Sequence, residues 1–131
     1  MAKKKNKVNV GVVGCGNISG IYFRQMTQVF DVLDVVAAAD LDKSRAKAAC
    51  EEYGVKKACT VKQMLADKSI DIIVNLTIPN AHYEVAKAAV AAGKSVHNEK
   101  PFTITRQHGQ EVLDIARKKK VLPGSAPDTF M

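Results

Sequence analysis

Short apolar runs with little polar interruption alternate along this chain with stretches whose apolar residues recur every three or four positions. The first kind predicts buried strands and the second amphipathic helices. Val8–Val13 reads as a first strand, followed by a helix from about Ile18 towards Phe30. Leu33–Ala39 reads as a second strand. Lys43–Tyr53 follows as a helix, with Ala46, Ala49, Cys50 and Tyr53 on one face and Gly54 as its stop. Ala58-Cys59 suggests a short third strand, and Val61–Ala66 a small helix. The run from Asp71 to Leu76 predicts a fourth strand ending at Pro79. Asn80 then stands where it can cap a helix from about His82 to Ala92, closed by Gly93. Ser95–Asn98 is a fifth strand. Thr105–Lys120 is a fifth helix, capped by Thr103 or Thr105, and Val121-Leu122 opens a sixth strand leading into Pro123-Gly124.

Strand and helix in regular alternation, with short connections, imply parallel pairing and helices on both faces of one sheet. The expected architecture is α/β, a doubly wound parallel sheet with strand order 3-2-1-4-5-6, the Rossmann arrangement. A ligand would then lie across the carboxyl ends where the order reverses. The first strand runs into Gly14-Cys15-Gly16-Asn17-Ile18-Ser19. Gly14 permits a sharp turn, Gly16 leaves the backbone open to a pyrophosphate, and Ser19 is small enough for close helix–strand packing. The helix that opens at Asn17 and Ile18 presents unpaired N–H groups to an anion. Ser19 departs from the usual third glycine. The second strand ends in Asp40, where an acidic residue can accept hydrogen bonds from both adenosine ribose hydroxyls. Asp40 can equally serve as a turn or cap residue ahead of Lys43–Tyr53.

Composition narrows the picture. A length of 131 residues suits one domain, assigned to residues 8–131 after a basic, disordered tail over residues 1–7. The net charge of +7 falls to about +3 without the four lysines of that tail. The other basic run, Arg117–Lys120, closes a predicted helix, where cations suit the dipole. Neither run is interleaved with aromatic residues, which speaks against nucleic-acid binding. No apolar run approaches the roughly twenty residues needed to span a bilayer, and the lysine-rich start lacks the apolar core of a signal peptide. Cys15, Cys50 and Cys59 are odd in number and lack metal-ligand spacing, so the expectation is a cytoplasmic protein with reduced thiols and no metal.

Two further segments follow strand ends: Thr77-Ile78-Pro79-Asn80-Ala81-His82 and Glu99-Lys100-Pro101. Together with the glycine turn and the closing Ala126-Pro127-Asp128-Thr129-Phe130, they resemble the Gfo/Idh/MocA family, NAD(P)-dependent oxidoreductases of the glucose–fructose oxidoreductase and inositol dehydrogenase type. The resemblance implies a nicotinamide dinucleotide held by Gly14, Gly16, Asn17, Ile18, Asp40, Thr77, Pro79, Asn80, His82 and Glu99. It assigns Lys100 the acid–base or substrate-orienting role, because a lysine beside a positively charged nicotinamide is suited to exchange a proton with a substrate hydroxyl. Glu99 would contact the nicotinamide ribose or only form an ion pair, and Asn80 and His82 have purely structural alternatives. A cis Lys100–Pro101 bond fits the family pattern. Asp40 favours NAD over NADP, since it would repel a 2′-phosphate, although Lys43 and Arg45 stand close behind it. The substrate implied is a sugar, cyclitol or related polyol.

Family members carry a second, largely antiparallel domain that completes the substrate pocket and builds the oligomer. The expectation is therefore a cofactor-binding portion that is poorly active alone. The alternative is a stand-alone NAD-binding sensor or subunit module.

Overall fold

In the computed structural model, which describes residues 7–126, six strands pair in parallel in the order β3-β2-β1-β4-β5-β6. Most of the expected tail and the end of the 126–130 motif lie outside the described residues. The strands are β1 (Val8–Val13), β2 (Leu33–Ala39), β3 (Lys57–Ala58), β4 (Ile72–Asn75), β5 (Ser95–Asn98) and β6 (Pro123–Ser125). Between them run α1 (Ser19–Arg24), α2 (Lys43–Tyr53), α3 (Val61–Ala66), α4 (Pro79–Ala91) and α5 (Arg106–Lys119). The doubly wound arrangement and its strand order are those expected from the alternation of patterns.

Strand periodicity divides the core into two. Val10, Val12, Val35, Ala38 and Val74 pack with Phe23 and Met26 and with Ala49 and Cys50 of α2. Val13, Ala37, Ala39, Ile73 and Val96 face Met64, Ala86, Ala89, Val90, Val112 and Ala116 of α3, α4 and α5. Helices thus cover both faces, as the near-continuous apolar strands require. The β1–β2 register slips by one between Val10 and Gly11, so that Val10 pairs with Val35 but Gly11 with Ala37. Val36 and Ala37 consequently pack on the same side of the sheet.

Local chemistry sets the helix ends. Asp42 caps α2, accepting the Ser44 N–H at 2.9 Å, and Gly54 ends it in the left-handed region. Thr60 and Gln63 form a reciprocal capping box on α3. Thr105, rather than Thr103, caps α5 through the His108 N–H. Its last turn carries Arg117, Lys118 and Lys119 against the dipole's negative end.

Several boundaries differ from expectation. The helix after the glycine turn finishes in a π-helical turn, Gln25–Val29, in which the Phe30 N–H reaches the Gln25 carbonyl. Strand β3 lies one residue earlier than Ala58-Cys59, and β6 forms over Pro123–Ser125 rather than opening at Val121. Helix α4 begins at Pro79, because proline's fixed φ and missing N–H suit the first helical position. Its cap position is Ile78, so Asn80 lies inside the first turn and does not cap the helix. Among the described residues, no helix is long and apolar enough to cross a membrane.

Candidate functional site

The strand order reverses between β1 and β4, and the glycine turn lies at that point. Gly14 adopts φ +100°, and a Cβ added there would stand 2.7 Å from both the carbonyl carbon and oxygen of Leu76. Only glycine lets the turn pass this close to the end of β4. At Gly16 the space a side chain would take is open. Ser19 is 5 % exposed and donates its hydroxyl to the Gly16 carbonyl at 2.6 Å, so the small third position closes the turn on itself. Asn17 and Ile18 are exposed at the entry to α1.

Asp40 ends the next strand beside this turn. One carboxylate oxygen accepts the Cys15 backbone N–H at 2.7 Å, and the other accepts the Asp42 N–H at 2.8 Å. A carboxylate offers about four lone-pair positions, so both oxygens keep capacity for hydroxyl donors. The helix-capping alternative for Asp40 belongs instead to Asp42. The Cys15 thiol is pushed up to about 12, first by burial and then by the neighbouring Asp40 charge. It is a protonated packing group rather than a nucleophile.

A groove of about 850 Å³ opens along the carboxyl ends of β1, β2 and β4. Its lining includes Gly14, Gly16, Asp40, Leu41, Thr77 and Ile78. Its size falls within the roughly 300–1,000 Å³ usual for small-molecule and cofactor sites. Among the described residues, Leu41 and Ile78 are two of the most exposed large apolar side chains, and they offer this groove apolar walls. Lys43 and Arg45 also line it, with Arg45 3.9 Å from Asp42.

The segments after β4 and β5 meet close by. Thr77 donates its hydroxyl to Asn75 Oδ1 at 2.6 Å, while Pro79 and Asn80 are exposed. The Lys100–Pro101 bond is cis. Glu99 is half-buried, with one carboxylate oxygen accepting the Tyr22 hydroxyl and the other the Lys100 N–H at 3.2 Å. Burial and this bond to Glu99 push the Tyr22 hydroxyl up to about 12, so it stays a donor. Lys100 itself is exposed just past the end of β5.

His82 is 1 % exposed, with its ring nitrogens 2.6 Å from the Pro101 carbonyl and 2.7 Å from the Thr77 carbonyl. Its polar atoms are committed to backbone. Sequence reasoning singled out neither Tyr22 nor the buried pair Asn75 and Asn98. The signal for Tyr22 is no more than its place on α1, three residues after Ser19. Among the described residues, no group of three or more His, Cys, Asp or Glu side chains is placed to hold a metal.

The model of an oxidoreductase family with an NAD-binding Rossmann fold, GFO_IDH_MocA, matches residues 8–125. An inositol 2-dehydrogenase of Salmonella paratyphi B is 30% identical over 113 residues, covering 85% of this chain and 34% of that protein. The chain thus spans about a third of that relative's length. Among solved structures, a single-residue mutant of KijD10, a 3-ketoreductase from Actinomadura kijaniata, in complex with TDP-benzene and NADP, superposes with a TM-score of 0.86 at 26% identity. That match covers 92% of this chain and 38% of the other. The WlbA dehydrogenase from Chromobacterium violaceum, in complex with NADH and UDP-GlcNAcA, gives 0.86 at 27% identity over 92% of this chain and 35% of its own.

Proposed function

The chain belongs to the Gfo/Idh/MocA oxidoreductase family, and from that premise we propose that it is the cofactor-holding part of an NAD-dependent dehydrogenase of a sugar, cyclitol or related polyol. The observation that carries this reading is the Asp40 carboxylate, bonded to the glycine turn at 2.7 Å and lining the groove at the switch point. The span shared with the curated relative is a third of that protein, so the reading assigns to this chain the cofactor and not the substrate pocket.

In this reading the Gly14 N–H holds the turn to the Ala39 carbonyl at 2.8 Å, and the backbone N–H groups from Gly16 through Asn17 and Ile18 come within reach of a pyrophosphate. Asp40 accepts the adenosine ribose hydroxyls, and its charge disfavours a 2′-phosphate. Thr77, Pro79 and Asn80 border the middle of the groove. Glu99, oriented by Tyr22, faces the nicotinamide ribose. Lys100 gives or takes the substrate hydroxyl proton, and the cofactor when bound supplies or accepts the hydride. His82, with both nitrogens on backbone carbonyls, serves from beneath the groove rather than as a direct contact. The relatives' solved complexes hold either NADH or NADP, so the preference for NAD rests on Asp40.

Fluorescence titration of the chain with NADH and NADPH tests the proposal. Saturable binding of NADH, weaker for NADPH, is expected. Binding of neither overturns the cofactor role, and tighter NADPH overturns the preference.

A further inference from the structure

The two segments that carry the nicotinamide-side residues, after β4 and after β5, are joined beneath the surface by polar groups rather than by apolar packing. His82 lies between them, its ring nitrogens on the carbonyls of Thr77 and Pro101 at 2.7 and 2.6 Å. Carbonyl oxygens only accept, and a neutral imidazole carries its N–H on one nitrogen at a time, so the tautomer decides which of the two carbonyls the ring donates to. Asn75 and Asn98, both 0 % exposed, complete the link. Asn75 Nδ2 donates to Asn98 Oδ1 at 3.0 Å and to the His82 carbonyl at 3.1 Å, and Asn98 Nδ2 donates to the Phe102 carbonyl at 2.7 Å. Among the described residues, every buried side-chain polar atom has a partner.

Three buried polar side chains at one end of a sheet carry a desolvation cost that is offset only while all their partners stay in place. Such a cluster is a poor way to gain stability and a good way to fix position. It grips the backbone on both sides of Glu99 and Lys100: at Thr77 on one segment, at Pro101 and Phe102 on the other.

We infer that His82 is a positioning residue, whose ring clamps the Thr77 and Pro101 carbonyls together and thereby sets Glu99 and Lys100 against the nicotinamide end of the groove. The inference rests on the proposed cofactor role of that groove.

The test compares NADH, which spans the whole groove, with ADP, which reaches only the adenosine and pyrophosphate part, by calorimetry on the chain and its variants. His82→Ala is expected to weaken NADH about tenfold, the scale of one or two lost hydrogen bonds, while ADP affinity changes less than about twofold. A residue serving only the fold would move both ligands together, or neither. Asn98→Ala, which releases the Phe102 carbonyl and the Asn75 amide without touching the ring, is expected to show the same selective loss and stands in should His82→Ala fail to fold. Equal losses for NADH and ADP, no loss for either, or failure of both variants to fold overturns the clamp while leaving the cofactor reading intact. Absence of NADH binding by the unaltered chain overturns both.

Discussion

The Asp40 carboxylate accepts the Cys15 backbone N–H at 2.7 Å, so the end of β2 and the glycine turn are held together independently of any ligand. Asp40→Ala removes both this tie and the proposed ribose acceptor. NADH affinity is expected to fall about tenfold, one to two hydrogen bonds to a charged group. NADPH affinity should fall less or rise, because Lys43 and Arg45 on the same groove lose their competing negative neighbour. The measurement is the ratio of the two dissociation constants; an unchanged ratio would remove Asp40 as the selector.

Gly14→Ala meets two penalties at once. The left-handed φ of +100° is strained for any side chain, and the new methyl would press on the backbone of Leu76, which no rotamer change can relieve. The expected loss is roughly 3 kcal/mol or more in urea unfolding. Wild-type stability in this variant would refute the described approach of the turn to β4.

The Cys15 thiol contributes a pH dependence on the alkaline side. Burial and Asp40 hold it up to about 12, against an ordinary thiol value of 9.0, so the unfolded chain releases this proton first. Below pH 9 both states carry the proton and stability is insensitive to it; between 9 and 12 stability falls as pH rises. Urea titrations at pH 8 and 10.5 should therefore show a smaller loss for Cys15→Ala than for the unaltered chain. Equal losses would mean the thiol is not buried as described.

Lys94 is 5 % exposed at the opposite end of the sheet, its ammonium donating to the carbonyls of Asp67 at 2.6 Å and Ile70 at 2.9 Å. Lys94→Met takes the ammonium from both carbonyls, leaving that of Asp67 only the Ile70 N–H at 3.2 Å. A loss of about 1–3 kcal/mol is expected, with NADH affinity within about twofold of the unaltered chain. A large change in NADH affinity would contradict the separation of this lysine from the groove.

Lys100→Met addresses the chemistry. Under the proposed role of Lys100, cofactor affinity should stay within about twofold, while polyol turnover falls roughly a hundredfold or more, the usual scale of a lost general acid–base. Unchanged turnover would take proton handling away from Lys100.

What was legible beforehand followed from spacing within one segment. Gly14, Gly16 and Asp40 stand at fixed offsets around a strand, a turn and the next strand, so their convergence follows once the sheet is parallel. Asp40 and Asp42 show the limit of that logic: two acidic residues precede α2, and only the structure gives the cap to Asp42 and the tie to Asp40. Asn80 has the residue type of a cap, but Pro79 starts the helix three positions ahead of the expected His82. His82, Asn75, Asn98 and Tyr22 were obscure for another reason. The partners of the first three include carbonyls brought together across two strands, and that of Tyr22 is a carboxylate 77 positions away. No local pattern encodes such meetings.

The one-residue slip in β2 reaches further than its size suggests. Before it, Val35 points to the α1–α2 side; after it, Ala37 and Ala39 point to the other side and Ala38 takes over the first. The next even position is Asp40, which therefore falls in phase with Ala38, on the side where Cys15 packs. An unbroken strand would have carried Asp40 out of phase, its carboxylate turned from the glycine turn. Under the proposed reading, which side of the sheet receives the adenosine ribose is thus decided by a single unpaired residue four positions upstream, Val36, rather than by Asp40 itself.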